Sequence, residues 1–440
     1  MTDKARVLIV AADDLHAGPL AEGLDRLGWR TLTARGPYAA AAALSESSIE
    51  AAIVDLSAIG PDAAPMARRL KTASAPRRLP IIALGETDGV AEPFDLALPW
   101  PLHPEQAAQR LEGLVRLAVA EEQFDLRAAT FADRGRTLAL PSEEDRPLRV
   151  LVVGSPAPSL LALSNALADE AAEVVGAFTA YTAFDYLHER TFEAVVLVAS
   201  DESSEALAIA TGMRRNTKLY HIPAILHLAD ALTVAPVEAF AKGVTDILAE
   251  RAEPAQAARR VLALASAFRR ELTIRQTLEK ARASGLMDPA TGLFTRELFA
   301  AHLARLAEAS KATDRTLAVV VLKLGETRQV AQARRGGWLD RAIPQIGSMI
   351  GRLVRVEDTA ARLGTETFAV ALPSSSLGQA RAAGERIGAV IACTAFEAGD
   401  KAAPFVAEFD VGAAEIRPGD NPAEALEAAA RTAYPARARA

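Results

Sequence analysis

The sequence predicts an α/β chain of three domains: two tandem doubly wound domains of one fold, then a third, mixed α/β domain. Three observations carry this. Short continuous apolar runs alternate with longer amphipathic segments of helical length. The pattern that begins at Arg6 restarts at Arg149. A segment rich in Ala, Arg, Leu and Glu, from Glu253 to Ala283, then separates the second copy from a stretch of different rhythm. At 440 residues the length accommodates about three domains.

In the first copy, Val7 to Val10, Ala52 to Val54 and Pro80 to Leu84 read as buried parallel strands, because they are continuously apolar rather than alternating. Segments of helical length such as Pro19 to Leu27 lie between them. Pro141-Ser-Glu-Glu-Asp-Arg-Pro147, rich in charge and proline, reads as part of a linker. Beyond it Arg149-Val-Leu-Val-Val153 repeats Arg6-Val-Leu-Ile-Val10, and Phe192-Glu-Ala-Val-Val-Leu-Val198 repeats Ile49-Glu-Ala-Ala-Ile-Val-Asp55. Ile222-Pro-Ala-Ile-Leu226 likewise repeats Leu79-Pro-Ile-Ile-Ala83. An offset this long is a domain duplication, not a solenoid repeat. The expected layout is a first domain over 1–125, a linker over 126–147 and a second domain over 148–270. A connecting helix over 253–284 and a third domain over 285–440 complete it. In the third domain Leu317 to Leu322, Thr367 to Leu372 and Phe405 to Val411 read as strands between helices.

Half of the residues are hydrophobic and 24% are charged, which fits packed cores and not wholesale disorder. A net charge of −7 argues against nonspecific nucleic-acid binding, which needs a basic face. The single Cys393 excludes an intramolecular disulfide and fits a reducing cytoplasm. The six histidines are scattered without cysteine partners at ligand spacing, so a structural zinc site is not expected. The apolar run Val7 to Ala12 is too short for a signal peptide. No stretch approaches the ~20 apolar residues that span a bilayer. The expectation is a cytoplasmic protein with no direct membrane insertion, reaching a cell pole only through a partner.

The paired domains carry Asp13 and Asp14 after the first strand and Asp55 at the end of the third. This resembles the receiver domains of two-component signalling, a flavodoxin-like fold. A receiver holds Mg²⁺ on carboxylates after its first strand and accepts a phosphoryl group on an Asp after its third. It reads the new charge with a Ser/Thr hydroxyl and a Lys that precedes Pro. The resemblance makes Asp55 the candidate phosphoacceptor, against the alternative of a relic at a strand end. Asp13 and Asp14 become a remnant metal pair, displaced because Ala11 and Ala12 occupy the family's acidic positions. Gly85 stands at the switch hydroxyl, and Trp100-Pro101 at Lys-Pro. The second domain has Gly154-Ser155, Val198, Leu228 and Glu250 at the equivalent positions. It is expected to be a dimer face or an adaptor spacer.

In the third domain, Asp288-Pro-Ala-Thr-Gly-Leu-Phe-Thr-Arg296 precedes Arg355-Val-Glu-Asp358, and five residues later comes Gly364-Thr-Glu-Thr-Phe368. This resembles the GGDEF family of diguanylate cyclases, whose hairpin follows an Arg-x-x-Asp product site for cyclic di-GMP. The family's first-strand metal Asp falls at Lys323, its next acidic position at Gly325 and its guanine-binding Asn at Ala331, while Asp340 survives. In the hairpin the second glycine is Thr365, a β-branched residue poorly suited to positive φ. Glu366 keeps a carboxylate, and the next acid is Thr367. The resemblance therefore implies no catalytic residues and no required metal. Arg355 and Asp358 remain as ligands for cyclic di-GMP, since arginine can grip the guanine O6/N7 edge with two hydrogen bonds. Arg386 matches the helix that supplies a second arginine, and equally reads as an ordinary amphipathic-helix residue. Arg417-Pro-Gly-Asp420 repeats the tetrapeptide and reads as a polar turn. Tyr434-Pro-Ala-Arg437 resembles the domain's closing Tyr-x-Ala-Lys, interrupted by Pro435.

The domain order resembles PleD-like receiver-receiver-GGDEF regulators and, among degenerate ones, the PopA type. That resemblance implies a homodimeric cyclic di-GMP effector. It would act as an adaptor helping deliver cell-cycle regulators to the ClpXP protease at a cell pole. The alternatives are a weakly active cyclase and a ligand-independent protein scaffold.

Overall fold

The computed structural model describes residues 5–85, 92–100, 102–141, 146–199, 204–216, 218–228, 234–249, 252–399 and 403–435. They form two compact units. One joins Asp3–Ala118 to Pro141–Leu272, the other joins Val119–Leu140 to Thr273–Ala440.

The first unit contains two parallel sheets. Strands β1 (Arg6–Val10), β2 (Arg30–Ala34), β3 (Ala51–Asp55), β4 (Ile81–Leu84) and β5 (Leu96–Leu98) line up as β2-β1-β3-β4-β5. Strands β6 (Arg149–Val153), β7 (Glu173–Ala177), β8 (Ala194–Ala199), β9 (Ala224–Leu228) and β10 (Asp246–Leu248) line up as β7-β6-β8-β9-β10. Both therefore follow the doubly wound order 2-1-3-4-5, and the register that pairs β1 with β3 recurs between β6 and β8. Their strands read as unbroken apolar runs because both faces are covered. Val7 and Ile9 enter one core and Leu8 and Val10 the other, as do Leu151 and Val153 against Val150 and Val152. Asp246, 1% exposed on β10, is held by Arg260 at 2.8 Å and by Arg110 at 3.4 Å. Burial alone would raise its pKa, but the two guanidiniums hold it below the usual range.

The second unit is built on a mixed sheet. Strands β11 (Leu317–Leu324), β12 (Thr359–Arg362), β13 (Thr367–Pro373), β16 (Phe409–Ile416) and β17 (Tyr434–Pro435) take the order β12-β13-β11-β16-β17, beside a small hairpin of β14 (Ala395–Phe396) and β15 (Phe405–Val406). The central strand β11 is buried on both faces. Ala318, Val320, Leu322 and Leu324 pack under helices Leu339–Leu353 and Leu377–Ala392, while Leu317, Val319 and Val321 pack under Arg296–Thr313 and Pro422–Arg431.

One boundary differs from the sequence reading. The proposed linker over 126–147 begins inside a single 29-residue helix, Pro104–Ala132, and Val119–Leu140 belongs to the unit that holds the third domain. Its interior has no Gly or Pro to stop it after Gly113, and Phe124 and Phe131 give it an apolar face to bury. The connecting helix spans Pro254–Lys280, with a tighter turn at Ala281–Ser284. No helix among the described residues is long and apolar enough to cross a membrane.

Candidate functional site

Helix Leu339–Leu353 ends as Val354 turns extended, and the chain crosses to β12 through Arg355-Val-Glu-Asp358. The turn closes on itself. Asp358 Oδ2 accepts from the Arg355 backbone N–H at 3.0 Å, and the Asp358 N–H donates to the Arg355 carbonyl at 3.2 Å. Val356 and Glu357 point inward and are buried. The Arg355 side chain is 62% exposed, with the Glu357 carboxylate 3.8 Å from its guanidinium. Burial pushes the Asp358 carboxyl up to about 7, the Glu357 charge adding to it, while the Arg355 N–H and the Arg355 and Arg127 charges oppose it.

Arg355 and Asp358 line one cavity of about 390 Å³, together with Arg275, Glu279, Arg282 and Arg352. Arg127 lines it too, so five arginines face two carboxylates, an environment suited to an anionic ligand with hydrogen-bonding edges. Its rim includes Gly292 of the Asp288 turn. There φ is +68°, and a Cβ would stand 2.8 Å from the Arg282 side chain. The left-handed φ favours glycine, and a Cβ there would displace the Arg282 side chain. The turn itself is organised by Asp288, whose Oδ1 accepts from the Thr291 hydroxyl at 2.6 Å and its N–H at 2.9 Å, with Arg362 3.4 Å away. Phe294 then hydrogen-bonds across to β12, donating to Ala360 and accepting from Arg362. The turn and the Arg355 loop are thus parts of one frame.

Arg386 stands apart from this lining. It sits on helix Leu377–Ala392, with Nη2 3.4 Å from the Leu353 carbonyl at the end of the preceding helix.

The opposite end of β11 and β13 holds the hairpin. Lys323 is exposed and in register with Thr367 and Asp410. The hairpin closes with Leu363 N–H to the Thr367 carbonyl at 2.8 Å, and neither Gly364 nor Thr365 has positive φ. The expected backbone penalty at Thr365 is therefore absent, because the turn is satisfied without a left-handed residue. The Glu366 carboxylate is instead engaged by Arg334. Arg334 donates to it from Nε at 2.8 Å and from Nη2 at 2.6 Å, and grips Glu326 with two further bonds of 3.0 Å. Thr327 caps the helix Arg328–Arg335 that carries Arg334, and buried Val330 and Ala333 fix its rotation. The Arg334 hydrogen bond holds Glu326 below its usual range, and the two carboxylates raise the guanidinium. Among the described residues no group of His, Cys, Asp and Glu could hold a metal ion. Where the resemblance to cyclases expects acidic metal ligands, this chain has Lys323 and Gly325, and the carboxylate of Glu366 is paired with Arg334.

In the first unit, Asp55 is buried at the end of β3, and its Oδ1 accepts from the Ser57 N–H at 3.0 Å and hydroxyl at 2.6 Å. It caps the short helix Leu56–Ile59. Asp13 is exposed and Asp14 opens the helix Asp14–Arg26; the Asp14 side chain lies outside the described residues, as do Pro101, Glu250 and Arg437. In the second sheet Gly154 has φ +146°, and a Cβ there would stand 2.8 Å from the Cβ of Val198. The close approach of Val198, its backbone carbonyl included, leaves no room for a side chain at Gly154.

Sequence reasoning missed Arg127 and Arg334. Arg127 falls between Phe124 and Phe131 on one helical face, and a charge on an apolar stripe was the available signal. Arg334 carries no such mark.

Residues 285–440 match the family described as diguanylate cyclase, GGDEF domain. No curated protein matches the chain. Similar solved structures include the GGDEF domain of DgcB from Caulobacter crescentus, 23% identical over 33% of this chain and 84% of that one, TM-score 0.31. The GGDEF domain of PA1120 (TpbB or YfiN) from Pseudomonas aeruginosa is 26% identical over 33% and 85%, TM-score 0.30. The FimX GGDEF domain, also from Pseudomonas aeruginosa, is 19% identical over 33% and 90%, TM-score 0.31. The chain thus carries a GGDEF domain at residues 285–440.

Proposed function

We propose that the chain is a cyclic di-GMP receptor without cyclase activity. The observation that carries this reading is the contrast within one domain. Arg355 and Asp358 line an arginine-rich cavity, whereas Glu366 is tied to Arg334 with Lys323 at the family's metal position. Arg355 would take a guanine O6/N7 edge in a bidentate pair, and an ionised Asp358 would accept from the ring and amino N–H groups. The remaining cavity arginines would meet phosphate charge. Arg386 would join only by a change of rotamer from its bond to Leu353.

The two sheets of order 2-1-3-4-5 support reading the first unit as receiver-like domains. Asp55 is then the candidate phosphoacceptor, and the second domain a homodimer platform. The resemblance to PopA-type proteins extends the proposal to an adaptor that helps bring cell-cycle regulators to ClpXP at a cell pole. A ligand can act there only by favouring one arrangement of the protein over another.

Equilibrium titration of the full chain with cyclic di-GMP tests the receptor. Saturable binding is expected, and Arg355→Ala should weaken it about tenfold to hundredfold, the loss of one bidentate guanine contact. Unchanged affinity in folded Arg355→Ala rejects the site. Incubation with GTP and Mg²⁺ should yield no cyclic di-GMP, and Lys323→Asp alone should not restore synthesis, because Gly325, Ala331 and the Arg334–Glu366 pair remain. Product above a no-protein control overturns the inactive reading.

A further inference from the structure

Arg127 lies on helix Pro104–Ala132, far before the GGDEF domain begins, yet the residue is 1% exposed and its guanidinium packs against the Arg355 turn. The helix is anchored on either side of it. Phe131 packs edge-on against Phe294 at 5.8 Å, and Phe124 clusters with Ile274 and Val356. A buried guanidinium is tolerated only where its N–H groups find acceptors. Here Nη1 donates to the Val356 carbonyl at 2.8 Å, and Nη2 donates to Glu357 and Asp358 carbonyls at 2.7 and 2.8 Å. Nε donates to the Thr359 hydroxyl at 3.0 Å.

The network continues with one consistent direction of donors. The Thr359 hydroxyl, having accepted from Arg127, donates to His302 Nε2 across 3.2 Å. His302 Nδ1–H then donates to the Thr130 hydroxyl at 3.0 Å, which passes its own proton to the Leu126 carbonyl at 2.9 Å. This requires a neutral imidazole. Burial, and the nearby Arg127 and Arg305 charges, hold the His302 pKa well below its ordinary value. The relay starts and ends on the same helix, and the Arg355–Asp358 turn hangs from its first member.

We infer that Arg127 is a positioning residue of the ligand site, fixing three consecutive carbonyls of the turn so that Arg355 and Asp358 face the cavity. The inference rests on the cyclic di-GMP reading. Lysine keeps the charge but lacks the fork that reaches several carbonyls at once.

The test uses the full chain, with folding checked by circular dichroism and thermal melting. Arg127→Lys should bind cyclic di-GMP about tenfold more weakly. Arg127→Gln should bind more weakly still, with the pH midpoint of binding moved upward. Asp358 faces Glu357 and Arg355 on its own turn, Arg275, Glu279, Arg282 and Arg352 across the cavity, and Arg127 behind it. Only the last is altered, and losing its positive charge favours the protonated acid. Arg127→Lys keeps the charge and should leave that midpoint in place, so its weaker binding at an unchanged melting temperature reports the lost fork alone. Should either variant fail to fold, Thr359→Val removes the hydroxyl between Arg127 and His302 and should weaken binding about threefold or more. Folded variants with wild-type affinity and midpoint overturn the inference while Arg355→Ala still loses binding. Absence of binding by the wild type sinks the receptor reading itself.

Discussion

The third domain contains the tetrapeptide Arg-x-x-Asp twice, at Arg355–Asp358 and Arg417–Asp420. Both copies close with the same two hydrogen bonds. The aspartate Oδ2 accepts from the arginine N–H at 3.0 Å in the first and 2.9 Å in the second, and each aspartate N–H returns to the arginine carbonyl. The surroundings differ. In the second copy all four residues are exposed, and Gly419 takes φ +95° after Pro418, a type II turn that stands on local geometry alone. In the first copy Val356 and Glu357 are buried, no residue has positive φ, and Arg127 collects the carbonyls. The tetrapeptide specifies a turn. A site needs a cavity in front of it and a support behind it.

The largest effect that could break this comparison is the removal of that support. Arg127→Met fills much of the same volume but leaves three carbonyls and the Thr359 hydroxyl without their donor. The expected loss is about 3–5 kcal/mol, in the range for removing one member of a buried charged network. Denaturant unfolding, with the slope checked for constancy, measures it. A loss below about 1 kcal/mol would mean that water replaces the guanidinium and that the support is dispensable.

Much of the fold was legible because the hydrophobic pattern is strong. Val7–Val10 and Arg149–Val153 read as buried strands, and both are interior strands in sheets of one order. The end of helix Pro104–Ala132 was not legible, since Arg134 to Leu140 and the charged run near Pro147 mimic a linker, whereas Phe124 and Phe131 complete their burial against a distant part of the chain. That Arg355 and Asp358 share one turn was legible through their spacing to the hairpin. Their backing by Arg127 is a contact across more than 200 residues, which no local pattern encodes. The positive-φ argument at Thr365 failed for the reverse reason: it assumed a backbone that the closed turn of Leu363 and Thr367 does not use.

The next effect sharpens the comparison through protonation. Asp358 is pushed up to about 7 by burial, from 3.8 in the unfolded chain. A carboxylate must be ionised to accept guanine N–H groups, so affinity should be greatest above pH 7 and fall as pH drops through it. Between pH 8 and pH 6 the ionised fraction declines about tenfold, and affinity should follow. The stability contribution has the opposite sense. Because the folded pKa is raised, it is complete below about pH 3.8 and lost as pH rises through about 7. Asp358→Asn should therefore be more stable than the wild type at pH 8, with the advantage shrinking toward pH 4. Binding that stays flat from pH 6 to 8 would show that Asp358 does not accept from the ligand.

The smallest effects belong to the second copy. Gly419→Ala places a Cβ on a left-handed residue and should cost about 1–2 kcal/mol, since l-residues other than glycine pay roughly that in this region. The cost stays local, because nothing lies within 4 Å of where the Cβ would stand. Arg417→Ala should change stability by less than about 0.5 kcal/mol, as surface substitutions away from special features do. Neither should alter affinity for cyclic di-GMP. Measured beside Arg355→Ala, the pair separates two readings of the tetrapeptide. If the turn alone bound guanine, the exposed Arg417 copy would hold a second ligand, and Arg417→Ala would halve the stoichiometry. If the cavity and its support are required, the stoichiometry stays fixed, and the whole loss appears at Arg355. A stoichiometry lowered by Arg417→Ala would return the explanation to the tetrapeptide and leave Arg127 a role in folding only.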